Sequence, residues 1–287
     1  MKLSQQAFES AREYLISDGR PLEQALFLHL FERGSLDEAL HALEMHQTDD
    51  GAFRDMGEGD SGTSSPIDST IAFQHLVDLG ISADNAIVKR GIQYFLSTYD
   101  STHQAWPQKT TDPEYLVRDL PEHWGNPSAE IVGYLWHCRE LVPSRFLGEV
   151  TQVAMERMRK QSLPIPGFSD LCYLRCAKFI QQQQGAEIRQ KIRSGFKKNL
   201  VLDHDEWNTS YFIKPYWYAM SPEEPLYPDI AGEIEACLDF DIRKQEADGS
   251  FFLTFSVREE ARKTWKSIWT LEILRVLKTY GRIEGVT

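Results

Sequence analysis

Gln47-Thr-Asp-Asp50-Gly51-Ala-Phe53 and Gln245-Glu-Ala-Asp248-Gly249-Ser-Phe251 are two copies of one phrase, Q-x-x-D-G-x-F. Each copy follows an amphipathic stretch and precedes an irregular loop and a second apolar stripe. The second stripe carries Thr70 and ends near Gly80 in one copy; in the other it carries Thr270 and ends near Gly281. Asp-Gly supplies a tight turn with a residue free to take positive φ. The aromatic two positions later can pack back on the helix ends, and the glutamine can bond orphan groups at a helix terminus. The phrase therefore predicts a helix hairpin used more than once, its faces buried against neighbouring pairs.

A third, degraded copy runs Arg90-Gly91-Ile-Gln-Tyr94-Phe95-Leu96 and then Gln104-Ala-Trp106, leading to Asn126-Pro127-Ser128. Helical spacing dominates elsewhere too. Stripes run through Leu22 to Leu30, Leu36 to Leu43, Ile71 to Leu79, Ile131 to Cys138, Val150 to Met158 and Ile268 to Leu277. Ser35, Ser65, Ser221 and Ser256 each stand three residues before an acid, the spacing of a capping box. Asn126-Pro127 reads as an N-cap followed by proline at the first helical position, and Gly34, Gly80 and Gly281 as stops. Phe251–Phe255 is an isolated extended run with no partner strand. The fold class is all-α, with about ten to twelve helices at common connection lengths. No Pro-, Gly- or Ser-rich linker divides the chain, so residues 1–287 are expected to form one domain, with loops near 54–66, 100–126, 202–210 and 247–260.

The repeat resembles the QW repeat of the squalene–hopene cyclase and protein prenyltransferase group, whose fold is an α/α toroid. The family motif runs basic, small, x, x, aromatic, aliphatic, then Gln, and finally Gly-x-Trp. Arg90-Gly91, Tyr94 or Phe95, Leu96 and Trp106 match it in part; Asp100 takes the place of Gln, and no Gly precedes Trp106. Phe53 and Phe251 replace Trp in the other copies. The ending Trp265-Lys-Ser-Ile-Trp269-Thr270-Leu-Glu-Ile-Leu-Arg275 is similar to small bacterial terpene-cyclase-like or prenyltransferase-like proteins. The resemblance implies an (α/α)6-type toroid and a central cavity for an isoprenoid or other apolar substrate, rimmed by the loops after the Asp-Gly turns. It also implies acid-initiated chemistry. The length fits one ring, whereas cyclases of this group pair two barrels and prenyltransferases pair with a second subunit. A lone ring would complete its pocket by itself, as a homodimer, or with a protein partner.

Four segments carry candidate residues. Asp55 lies among glycines and acids in the 54–61 loop and can serve as an acid or metal ligand; the competing reading is a solvated loop. His123, Trp124 and Asn126 precede a helix start, where a titrating imidazole and free amides favour an anion; a capping turn explains Asn126 equally well. Asp203, Asp205 and Glu206, with Trp207 beside them, superficially resemble the D-x-D-D acid motif of protonating cyclases, although a polar helix entry has the same look. Such an acid needs a carboxyl in an apolar pocket. Finally Tyr211, Phe212, Tyr216, Trp217 and Tyr218, with Lys214 between them and Trp265 and Trp269 further on, can line a cavity that stabilises cations. The competing reading is core packing.

Composition sets the outer bounds. Lys plus Arg is 31, Asp plus Glu is 43 and the net charge is −12, which argues against a phosphate-backbone binder or an anionic-membrane binder. No apolar run reaches the ~18 residues of a membrane span. The start lacks an apolar h-region, so no signal peptide is expected. Four cysteines suggest a reducing, cytoplasmic setting instead of a disulfide framework. Cys172/Cys176 and His137/Cys138 read as buried thiols. No cofactor is implied, and magnesium and zinc stay open. There is no P-loop, dinucleotide fingerprint or Gly-x-Ser-x-Gly. Two alternatives stand beside the cyclase reading: a non-catalytic toroid that binds a small molecule or protein, and a carboxylate-based hydrolase or lyase using pairs such as Asp55 and Asp203.

Overall fold

A computed structural model describes residues 1–57, 62–107, 124–166, 168–203, 205–209 and 212–286. Among them there are eleven α-helices and no strand. These are α1 (Gln5–Asp18), α2 (Pro21–Glu32), α3 (Leu36–Glu44), α4 (Pro66–Asp78), α5 (Ala86–Ser97) and α6 (Gly125–His137). They continue with α7 (Ser144–Lys160), α8 (Ser169–Phe179), α9 (Gln182–Arg193), α10 (Tyr227–Arg243) and α11 (Glu259–Thr279). None of the described helices is long and apolar enough to cross a membrane.

The helices gather into two compact units. Residues 1–42 and 200–287 form the first, and the contiguous run Leu43–Asn199 forms the second. In the first unit, α11 packs on α1 and α2. Leu3 pairs with Ile283 as an isolated parallel bridge, and the Arg282 guanidinium bonds the Met1 carbonyl, Glu235 and Asp239. In the second, α6 lies against α4, α5, α7 and α8. Its residues from Gly125 to Leu135 are buried except Asn126, so apolar side chains occupy every face, as a central helix requires.

Helix starts follow the caps in part. Ser65 Oγ accepts from the Asp68 amide, returns a bond to the Asp68 carboxylate at 2.6 Å, and is followed by Pro66 at the first helical position. Ser35 caps α3 through the Asp37 and Glu38 amides. Asn126 is extended (φ −106°, ψ 109°), and regular helix follows it from Pro127. Ser221 only closes a turn, and α10 starts later, at Tyr227. Ser256 is likewise passed over, since α11 begins after Arg258. Gly80 and Gly281 end their helices at φ 68° and 62°; at α2 the left-handed residue is Arg33, one place before Gly34.

The repeat is a physical joint, built twice in the same register. Gln47 Nε2 donates to the carbonyls of Gly51 and Ile87, both at 3.0 Å. Gln245 Nε2 donates to Gly249 at 3.0 Å and to Ala7 at 2.8 Å. Gly51 (φ 90°) sits on the Arg90 carbonyl, and Gly249 (φ 87°) sits on the Ser10 carbonyl. A Cβ at these glycines would lie 2.3 and 2.1 Å from those oxygens. Each turn therefore lies on a neighbouring helix, α5 in the second unit and α1 in the first, and touches carbonyls three residues apart. The phenylalanine amide then donates to a hydroxyl of the following helix: Phe53 to Ser69 at 3.0 Å, Phe251 to Thr270 at 3.2 Å. The third copy does the same, Trp106 donating to Ser128 at 3.0 Å. Thr70 is not the counterpart of Thr270, because its hydroxyl turns to the Ile67 carbonyl in its own helix.

Candidate functional site

Between α9 and α10 the described residues make three short 3-10 turns, Phe196–Asn199, Glu206–Asn208 and Pro215–Trp217. The residue before Pro215 is held extended, as the proline ring demands, and that residue is Lys214. Its side chain is fully buried (0% exposed). The ammonium donates to Asp241 Oδ1 at 2.6 Å, and the Tyr216 hydroxyl donates to Asp241 Oδ2 at 3.1 Å. Taking two charges out of water costs several kcal/mol per ion, so each must find dense compensation. Here the rings of Phe212, Phe240 and Trp269 add theirs, with centroids 4.8, 5.3 and 5.4 Å from the ammonium. Burial alone would drive the ammonium towards neutrality, but the charge and hydrogen bond of Asp241, with Cys237 and Glu272 nearby, together outweigh it and hold Lys214 above its ordinary range. Burial beside Asp241 pushes the Tyr216 phenol well up.

The rings continue on both sides. Trp207 stacks on Phe212 at 5.5 Å and meets Phe240 edge-on at 5.4 Å. Trp269 meets Trp217 at 6.1 Å and Phe255 at 5.5 Å, and Phe255 meets Trp265 at 5.2 Å. Of the residues read as substrate-binding, Trp207, Tyr216, Trp265 and Trp269 thus belong to one cluster, within the first unit. The cluster has a dry end and a wet end. Lys214, Trp207, Phe212, Tyr216 and Trp269 are buried, whereas Trp217, Phe255 and Trp265 are half-buried. The Trp217 indole bonds the Glu272 carboxylate. Three buried polar atoms in and beside the cluster have no partner, Trp269 Nε1, Thr254 Oγ1 and Asn208 Oδ1.

Of the other described candidates, Asp203, Asp205 and Glu206 precede Trp207 in the first unit, and Asp55, Trp124 and Asn126 belong to the second. Asp203, Asp205 and Glu206 are exposed on a turn in which Asp203 Oδ1 accepts from the Asp205 amide at 3.0 Å. They stand in solvent, not in the apolar pocket that protonation chemistry needs. Asp55, at φ 58°, faces Arg54 across 3.8 Å and is half-buried. Trp124 is buried, stacks on Tyr173 at 6.2 Å and donates to the Gln104 carbonyl. Asn126 is half-buried where regular α6 begins. His123 and Tyr211 lie outside the described residues, as do Glu58, Asp60 and His204.

The sequence reading missed a carboxylate in the second unit. Glu130 is 2% exposed on α6 and accepts from the Tyr134 hydroxyl (2.7 Å), the Gln74 amide (2.9 Å) and the Arg175 guanidinium (3.0 Å). A signal existed: an acid inside Ser128–Leu135, a stretch otherwise without charge, must be paired if buried. Among the described residues, no three His, Cys, Asp or Glu side chains form a group able to hold a metal ion. No family model matches the chain, and no curated protein or solved structure is significantly similar to it.

Proposed function

We propose that this chain is a terpene-cyclase-like or prenyltransferase-like α/α toroid that binds an isoprenoid or other apolar small molecule at the aromatic cluster around Lys214. The observation that carries the reading is the dry ammonium held by three ring faces, Phe212, Phe240 and Trp269. Rings that stabilise one cation without water can stabilise a second, on a ligand or an intermediate, at the half-buried end formed by Trp217, Phe255 and Trp265. The unpartnered Trp269 Nε1 adds a donor for a polar ligand end. The repeated joint of Gln47 and Gln245 supports the toroid reading, because it ties each hairpin to a further helix. A binding protein without turnover is the second reading, favoured by the solvent exposure of Asp203, Asp205 and Glu206.

The test is a titration of tryptophan fluorescence with farnesyl and geranylgeranyl diphosphate and with an ammonium-bearing isoprenoid analogue, followed by product analysis. The site reading expects saturable binding of the analogue that Phe255→Leu and Trp265→Leu weaken. Absence of binding by all three ligands would overturn it. Turnover abolished only by Asp203→Asn, Asp205→Asn or Glu206→Gln supports acid-initiated chemistry, whereas binding without product supports the second reading.

A further inference from the structure

The second unit carries a groove of about 340 Å3, within the size range of small-molecule sites. Its walls come from Trp136 of α6, from Gly148, Thr151, Gln152 and Glu156 of α7, and from Gln184 of α9. Nothing in the aromatic-cluster reading uses it.

Three features of this groove point to a ligand. First, Trp136 is half-buried, and its indole is fixed: Nε1 donates to Thr151 Oγ1 at 2.8 Å, and that hydroxyl donates to the Leu147 carbonyl at 2.6 Å. A pinned indole is a ready stacking surface. Second, Gln184 Oε1 is buried and has no partner. An acceptor withdrawn from water and left unmet costs free energy, and a ligand donor would recover it once the half-buried Gln184 side chain turns its oxygen into the groove. Third, a Cβ at Gly148 would meet nothing within 4 Å. A glycine inside a helix is destabilising relative to alanine, and at exposed Gly148 it leaves this wall of the groove without a side chain.

The lining also says what kind of ligand fits. Glu156 and Arg159 are the charged residues of the lining, and Arg159 is already bound to Glu187 by two bonds of 2.6 and 2.8 Å. Glu156 would repel an anion. Gln152, Gln181 and Gln184 offer amides, each both donor and acceptor, with Gln152 steadied on Glu156 at 2.9 Å. A neutral ring with one C–H face and a rim of hydroxyls meets all of these demands. We propose that the groove between Trp136, Gly148 and Gln184 binds a neutral pyranose sugar, with its C–H face on the Trp136 indole and a hydroxyl donated to Gln184 Oε1.

The full-length protein, 15N-labelled, is titrated with glucose, galactose, mannose and N-acetylglucosamine while the Trp136 indole N–H signal is followed. Saturable movement of that signal by at least one sugar is expected. Gly148→Tyr fills the open space and is expected to weaken binding about tenfold or more. Gln184→Met removes the unmet acceptor and should weaken binding about tenfold while leaving the melting temperature unchanged or higher. No movement of the Trp136 signal up to about 10 mM, ten times a Kd of about 1 mM, overturns the proposal. So does Gln184→Met that gains stability yet binds sugar as well as the parent, since the orphan oxygen would then be structural only.

Discussion

The amide of Gln47 donates to the carbonyl of Ile87, 40 residues further along the chain, at 3.0 Å. Gln245 makes the matching bond to Ala7 at 2.8 Å. One side chain thus satisfies its own turn and a helix from elsewhere, which is why the glutamine belongs to the repeat. Gln47→Leu or Gln245→Leu leaves two carbonyls without their donor. We expect a loss of about 1–3 kcal/mol in each case, read as a lower urea midpoint with an unchanged slope. A midpoint that stays put in both variants would remove the glutamine from the joint.

The turn glycines are more stringent. Gly51→Ala and Gly249→Ala each place a Cβ against a carbonyl oxygen and demand positive φ of an alanine. Both should lower the melting temperature sharply, by the equivalent of about 2 kcal/mol or more. Gln104 occupies the corresponding position of the third copy at φ 54°. Gln104→Gly should therefore go the other way and stabilise by up to about 1 kcal/mol. Calorimetry on the three variants reads both signs at once.

Lys214 and Asp241 form a pair whose halves cannot be removed singly without cost. Lys214→Met strands a buried carboxylate beside Tyr216, and we expect a loss of about 3–5 kcal/mol. Lys214→Met combined with Asp241→Leu should be much less damaging than the sum of the single changes. A double-mutant cycle with strictly additive losses would show that the two side chains are not coupled.

All four cysteines are buried. Burial pushes the Cys138 and Cys176 thiols up to about 12, and Cys172 and Cys237 also lie above the ordinary range. A thiolate is the reactive form. A disulfide dye at pH 8 should therefore find no fast-reacting thiol in the native protein and four after denaturation. A rapid native reaction at any one of them would contradict the buried assignment.

The hydrogen bond from His103 to Asp100, at 2.6 Å, holds that carboxyl below its ordinary range, with backbone amides of Thr102 and His103 helping. A folded-state pKa depressed below the unfolded value near 3.9 gives stability that is present above about pH 4 and lost as pH falls through the folded value. Asp100→Asn should accordingly lower the urea midpoint slightly at pH 6 and make little difference near pH 2. The pair is largely solvated, so the effect is small. A larger gap at pH 2 than at pH 6 would reverse the assignment.

The repeat was legible because its information is local: seven residues fix a turn, and the turn fixes what lies beneath it. The hydroxyl partners, Ser69 and Thr270, were not legible, because which side of a helix faces the turn depends on where the helix begins. The aromatic cluster was legible as a set of residues. Its centre was not, because the Lys214–Asp241 pair joins the 3-10 segment to α10, and sequence does not measure that distance. Asp203, Asp205 and Glu206 were visible, but their exposure depends on the fold, as does the burial of Glu130.

The chain enters the first unit, leaves it for Leu43–Asn199, and returns to it. On a ribosome this imposes an order. When residue 199 has emerged, the second unit already has every residue it needs, whereas the first has only residues 1–42 and still lacks α10, α11 and the Ile283 partner of Leu3. Helix α1 must therefore wait through the synthesis of the 240 residues between Asp18 and Glu259 before its packing partner α11 begins to exist, and the surface of α1 and α2 that α11 covers stays uncovered for that interval. Emergence of α11 is then the step that closes the first unit, and deletion of α11 damages α1 and α2 before it touches Leu43–Asn199.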